Sequence, residues 1–164
     1  MDRRLVLKTL AAMANIAIAA LLSLPAILYI FSPLRRRSSE TDWIDLGVLE
    51  ALPQGAPTLV RYEVQPSDGW ARKARRASAW VYRQDDRVRV FTSTCPHLGC
   101  AVRWTPESVR FSCPCHESAF SLDGGRLSGP APRSLDPLPW KLEDGRLYLR
   151  HQVFRPGASQ AVPA

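Results

Sequence analysis

Two short boxes carry the chemistry open to this sequence. The first is Cys95-Pro96-His97-Leu98-Gly99-Cys100 and the second is Cys113-Pro114-Cys115-His116. All four cysteines and two of the three histidines lie between residues 95 and 116. Cysteines placed only to staple a fold would be scattered, so this bunching points to a metal site. Each box offers a Cys and a His, spaced Cys-x-His in the first and Cys-x-x-His in the second. Thiolates suit iron bridged by sulfide, and neutral imidazoles suit a second, outer iron. Replacing two thiolates by two imidazoles removes negative charge. The potential then lies at roughly −150 to +300 mV, against about −400 mV for plant-type all-cysteine ferredoxins. The ligand types alone also fit a zinc site with two Cys and two His. The close duplication of the boxes and the spare cysteine pair favour iron.

The elements that must position these boxes read as β. Leu59–Val64, Ala79–Arg83, Val88–Thr92, Val109–Cys113, Trp140–Glu143 and Arg146–Arg150 are short runs of strand-type residues, some alternating, as in Val88-Arg89-Val90-Phe91. Asp85-Asp86 and Asp144-Gly145 fall between run pairs as hairpin turns. No long amphipathic helix or internal repeat is present in this part of the chain. Residues 43–152 are therefore expected to form a small all-β domain, and 153–164 a loose tail with little to bury. His151, beyond both boxes, is expected to be an ordinary surface histidine.

The 164 residues give room for one domain and a little more. Residues 1–37 hold six basic side chains against Asp2, and so carry +5 of the net +7. Charge placed there brackets a membrane segment and does not argue for nucleic acid. Thr9 to Leu34 contains no charged side chain, with an apolar core from Leu10 to Phe31. A bilayer-spanning helix needs roughly 20 such residues, and Asn15 and Pro25 are tolerated in membranes. Residues 1–34 are read as an uncleaved anchor and 35–42 as a flexible, charged tether. Arg3-Arg4-Leu5-Val6-Leu7-Lys8 resembles the twin-arginine export signal, which would leave the N-terminus in the cytoplasm and the head outside. The basic run Arg72, Lys73, Arg75, Arg76 reads as a solvated loop, or as a contact for anionic headgroups or an acidic partner.

The paired boxes resemble those of Rieske proteins of quinol–cytochrome c oxidoreductases, the cytochrome bc and b6f complexes. The resemblance covers the anchor, the tether and both boxes, and continues to Ser128-Gly129-Pro130-Ala131-Pro132, similar to the family's proline-bearing loop over the cluster. Asp68-Gly69-Trp70 and Ala79-Trp80-Val81-Tyr82 look most like the menaquinol-oxidising bacterial branch. The resemblance implies an all-β Rieske domain of small antiparallel sheets with a cluster-binding subdomain. It implies one [2Fe–2S] cluster, with Cys95 and Cys113 on one iron and His97 and His116 on the other. It joins Cys100 and Cys115 as a disulfide, worth roughly 3 kcal/mol in the chain-entropy model and at home in an oxidising compartment. It also makes Ser118 a hydrogen-bond donor to cluster sulfur.

Two residues depart from the family pattern. Glu117 replaces a glycine after the second box, which costs on the order of 1 kcal/mol if φ is positive, and its charge is expected to lower the potential. Phe120 replaces a common tyrosine and removes a hydrogen bond that would stabilise the reduced cluster. By resemblance, the chain takes an electron and a proton from a menaquinol-like quinol, with His116 and His97 at the reacting face, and passes the electron to a c-type cytochrome. A cytochrome b subunit, a dimeric multi-subunit complex and the inner membrane are implied with it. Three alternatives are an exported Rieske subunit of another oxidoreductase such as arsenite oxidase, an oxygenase ferredoxin, and a zinc-binding membrane protein. The anchor and the second cysteine pair disfavour the first two.

Overall fold

The computed structural model describes residues 3–31, 43–64 and 74–164. The tether, Asp68-Gly69-Trp70, and Arg72 and Lys73 of the basic run lie outside the described residues. The chain divides into two units, Met1–Ser38 and Ser39–Ala164.

Among its described residues the first unit holds one helix, α1 (Arg3–Ile30), 28 residues with Pro25 inside it. At 1.5 Å per residue it is about 42 Å long, more than the roughly 30 Å hydrocarbon core of a bilayer. Its mean hydropathy reaches 2.1, so it is long and apolar enough to cross a membrane.

The second unit is built, among the described residues, from ten strands in three antiparallel sheets. They are β1 (Trp43–Val48), β2 (Thr58–Val64), β3 (Arg75–Gln84), β4 (Arg87–Thr92), β5 (Arg103–Thr105), β6 (Arg110–Ser112), β7 (Ala119–Phe120), β8 (Arg126–Ser128), β9 (Trp140–Glu143) and β10 (Arg146–Arg150). The sheet orders are β1-β10-β9, β2-β3-β4 and β5-β6-β7-β8. The third sheet is thus an insertion between β4 and β9. The two hairpin turns lie where the sequence puts them. Gln84 pairs with Arg87 across Asp85-Asp86, and Glu143 with Arg146 across Asp144-Gly145. Asp85, Asp144 and Gly145 take the positive φ that short hairpins demand.

The described residues form two cores. One gathers Tyr62, Ala79, Val81, Val90, Leu138, Leu147 and Leu149. The other gathers Trp80, Phe91, Phe111, Phe120, Ala131 and Leu135 around Cys95 and Cys113. Strands β3 and β4 form the wall between them. Successive side chains on a strand point to opposite faces, so Ala79, Val81 and Val90 enter the first core while Trp80 and Phe91 enter the second. This explains why Ala79–Tyr82 is buried without a break. Trp80 fixes the junction by donating its indole N–H to the Val102 carbonyl at 3.2 Å.

Four expectations need correction. Arg75 and Arg76, read as part of a basic loop, open β3 and pair with Val64 and Glu63 of β2. The run Val109–Cys113 is shorter as a strand, because Val109 takes a left-handed φ of 48° closing the 3-10 turn Pro106–Ser108. His151 is not an ordinary surface residue, since its Nδ1 meets the Tyr62 hydroxyl at 2.9 Å and the rings pack edge to face. Residues 153–164 are not loose. Phe154 packs on the first core, and Ala164 N–H bonds the Val153 carbonyl at 2.8 Å. One aromatic, a few backbone hydrogen bonds and the Arg133 guanidinium hold the segment, a signal too sparse for periodicity to reveal.

Candidate metal centre

The two boxes fold into matching loops. In the first, Cys95 N–H donates to Cys100 O at 2.7 Å and Gly99 N–H to Cys95 O at 3.0 Å. In the second, Cys113 N–H donates to Ser118 O at 2.8 Å and Glu117 N–H to Cys113 O at 3.1 Å. Each loop follows a strand, β4 or β6, and is closed by two backbone hydrogen bonds between its own residues. Gly99 and Glu117 take the same turn position, with φ of 81° and 59°.

Cys95 and Cys113 are free thiols, only 1% and 3% exposed. The His97 and His116 rings face each other with centroids 4.8 Å apart, nearly perpendicular at 86°. The Cys100–Cys115 disulfide crosslinks the loops, its Cα atoms 6.5 Å apart. The sulfurs of Cys100, Cys113 and Cys115 lie within 4.8 Å of one another. Two of these three are spent in the disulfide and have no thiolate to give, so this trio is not a ligand set.

Burial pushes the Cys95 thiol up, and the neighbouring Cys113 thiol adds to this. The His97 backbone N–H and the Ser118 hydroxyl pull the other way without winning. A thiol that resists ionisation when alone is one that a cation would deprotonate on binding. His97 Nδ1 is buried without a hydrogen-bond partner; among the described residues, Nε of Arg150 is the only other such side-chain atom. Buried polar atoms are nearly always paired, so this lone nitrogen, two residues from the buried Cys95, is chemically suited to a metal.

Residues 42–139 match the Rieske [2Fe–2S] domain. The chain belongs to the Rieske family. Similar proteins include the menaquinol:cytochrome c reductase iron–sulfur subunit of Geobacillus thermodenitrificans, 29% identical over 136 residues and 80% of each chain. The subunit of the same name from Bacillus subtilis is 27% identical over 80% of each chain. A plasma-membrane Rieske protein of the cyanobacterium Synechocystis PCC 6803 shares the fold, with a TM-score of 0.50 and 22% identity, covering 66% of this chain and 99% of that one. As a Rieske domain, this protein carries a [2Fe–2S] cluster, and the two buried thiols and the unpartnered imidazole nitrogen fit one.

Around the Rieske site, the proline-bearing loop is pinned by Ser118. Its hydroxyl accepts the Ala131 N–H at 3.1 Å and faces the Cys95 sulfur. Gly129, at φ 89°, crosses so closely that a Cβ there would lie 2.4 Å from Ser118 Cα. The sequence singled out the loop but not the reason for its glycine. It also missed Arg133, whose guanidinium grips the buried Asp136 carboxylate at 2.7 and 2.8 Å. Nothing in the local spacing of Arg133 signals this role.

Proposed function

We propose that Cys95, His97, Cys113 and His116 hold the [2Fe–2S] cluster, and that the chain is the electron-transfer subunit of a membrane-bound quinol–cytochrome c oxidoreductase using a menaquinol-like donor. The observation that carries this reading is the pair of matching loops, each presenting a buried thiol and an imidazole, stapled by the Cys100–Cys115 disulfide. The two relatives named as menaquinol:cytochrome c reductase subunits, aligned over 80% of their length, support the class of complex.

A bound [2Fe–2S] cluster supplies one-electron acceptance from a quinol and one-electron delivery to a c-type cytochrome. The protein's own part is to bring the quinol hydroxyl to an imidazole. His116 is the exposed ring of the pair and His97 the half-buried one, so His116 is the group that meets the donor. Its outer ring nitrogen accepts the hydroxyl hydrogen bond and then the proton. The buried thiols and the aromatic core beneath them keep water from the inner side of the site. Ser118 directs its hydroxyl at the Cys95 sulfur and so favours added negative charge there. Phe120, fully buried in the same core, offers no such donor. This supports a potential below that of ubiquinol-type relatives. The anchor α1 and the export-like Arg3-Arg4 support a head on the extracytoplasmic side of the inner membrane, beside cytochrome b and c-type subunits of a dimeric complex.

The test is a redox titration of the purified protein followed by EPR at several pH values. A rhombic [2Fe–2S] signal, lost in His97→Cys and His116→Cys variants, with a midpoint that falls at high pH, is expected. A colourless protein containing zinc would overturn the assignment.

A further inference from the structure

The Rieske match ends at residue 139, yet the segment after β10 reaches back to the first cluster loop. Gly157 N–H donates to the Pro96 carbonyl at 2.8 Å. Pro96 lies between Cys95 and His97, so this bond holds the backbone that carries both residues. A side-chain carbon of Pro156 comes within 4.0 Å of where a Cβ on Gly99 would stand. The segment is itself held at a second point. Arg133 donates to the Ala158 carbonyl at 2.5 Å and the Arg155 carbonyl at 3.0 Å while gripping Asp136. The arginine is 8% and the aspartate 3% exposed. Asp136 in turn accepts the Thr92 N–H through its backbone carbonyl at 2.9 Å, at the end of β4 just before the first loop.

These contacts close a ring: from β4 to Asp136, to Arg133, to residues 155–158, to Pro96 and back to β4. The second loop has no such brace among the described residues; it is held by the Ser118–Ala131 bond and by the Cys100–Cys115 disulfide. We infer that residues 153–164 are a brace for the first cluster loop alone, with Arg133 as the positioning residue that sets it against Pro96. The inference deepens the ligand assignment above and rests on it where it concerns His97. Guanidinium geometry is essential to the device, because one planar fork must serve a carboxylate and two carbonyls at once. A lysine can keep the Asp136 ion pair but cannot span all three acceptors.

The test uses the full cluster-loaded chain in detergent, a chain ending at Gln152, and Arg133→Lys. Truncation leaves the Arg133–Asp136 pair intact, and Arg133→Lys leaves the segment intact, so a folding failure of one does not remove the other. Hydrogen exchange is read on peptides spanning each loop, together with the line widths of the reduced-cluster EPR signal. In both variants the Gly99 amide is expected to exchange roughly five- to tenfold faster, the effect of losing one supporting hydrogen bond. The Glu117 amide should stay unchanged and the EPR lines should broaden. Equal acceleration in both loops, or none in the first, would overturn the brace. Faster exchange at Gly99 with unbroadened lines would overturn its positioning role. The His97→Cys variant separately reports whether the ligand assignment itself has failed.

Discussion

Glu117 stands in the second loop where Gly99 stands in the first. Each donates its N–H to the carbonyl of the cysteine that opens its loop, at 3.1 and 3.0 Å, and each has a positive φ. One loop meets this demand with the residue suited to it, and the other forces a Cβ and a carboxylate into the same turn.

The backbone consequence is strain. Glu117→Gly should raise stability by about 1 kcal/mol, read as a higher midpoint of thermal unfolding. The charge consequence is separable. Glu117→Gln keeps the Cβ and removes the negative charge, so the cluster potential should rise in a redox titration. An unchanged potential would mean that the carboxylate is fully screened by water.

Ser118 links two parts of the site through one hydroxyl. Ser118→Ala should lower the potential, because Cys95 loses its donor, and should cost about 1–3 kcal/mol because the buried Ala131 N–H is left unpaired. Phe120→Tyr should act in the opposite direction on the potential, since it adds a hydroxyl in the core that encloses Cys95 and Cys113. If Phe120→Tyr leaves the midpoint unmoved, the ring edge does not face the cluster.

Gly129→Ala is expected to be severe. Its new Cβ would meet Ser118 Cα at 2.4 Å and Ser118 N at 2.8 Å, both backbone atoms that cannot rotate away. The positive φ adds its own penalty. A loss of about 2–4 kcal/mol follows from overpacking and strain together. Cluster content per polypeptide should fall with it, measurable as the ratio of visible absorbance to protein.

Tyr62 predicts an alkaline limit. Burial pushes its phenol up to about 12 from an ordinary 10.0. Below pH 10 the phenol is protonated in both folded and unfolded chains, and its stabilising contribution is fully present. As pH rises from 10 to 12 the unfolded chain releases a proton that the folded one keeps. Stability therefore falls by an amount on the order of 2–3 kcal/mol. Thermal unfolding between pH 9 and 12 should show this decline, and Tyr62→Phe should flatten it. An equally steep decline in Tyr62→Phe would assign the effect to other groups.

What could be read from the chain alone shares one property: it is encoded within a few consecutive residues. The uncharged run before residue 35, the two hairpin turns and the cysteine–histidine boxes are all set by local spacing and residue type. So is the membership in an all-β class, because strand runs and turn residues alternate along the chain. What required the tertiary structure joins residues far apart. Tyr62 meets His151 across 89 positions, and Arg133 reaches carbonyls 22 and 25 positions away. Gly129 is needed because Ser118 passes beneath it. The unbroken burial of Ala79–Tyr82 arises because β3 separates two cores. Local sequence carries the periodicity of an element and the chemistry of a side chain. It does not carry which distant backbone will lie within 3 Å of it, since that is settled only when the sheets close over their shared cores.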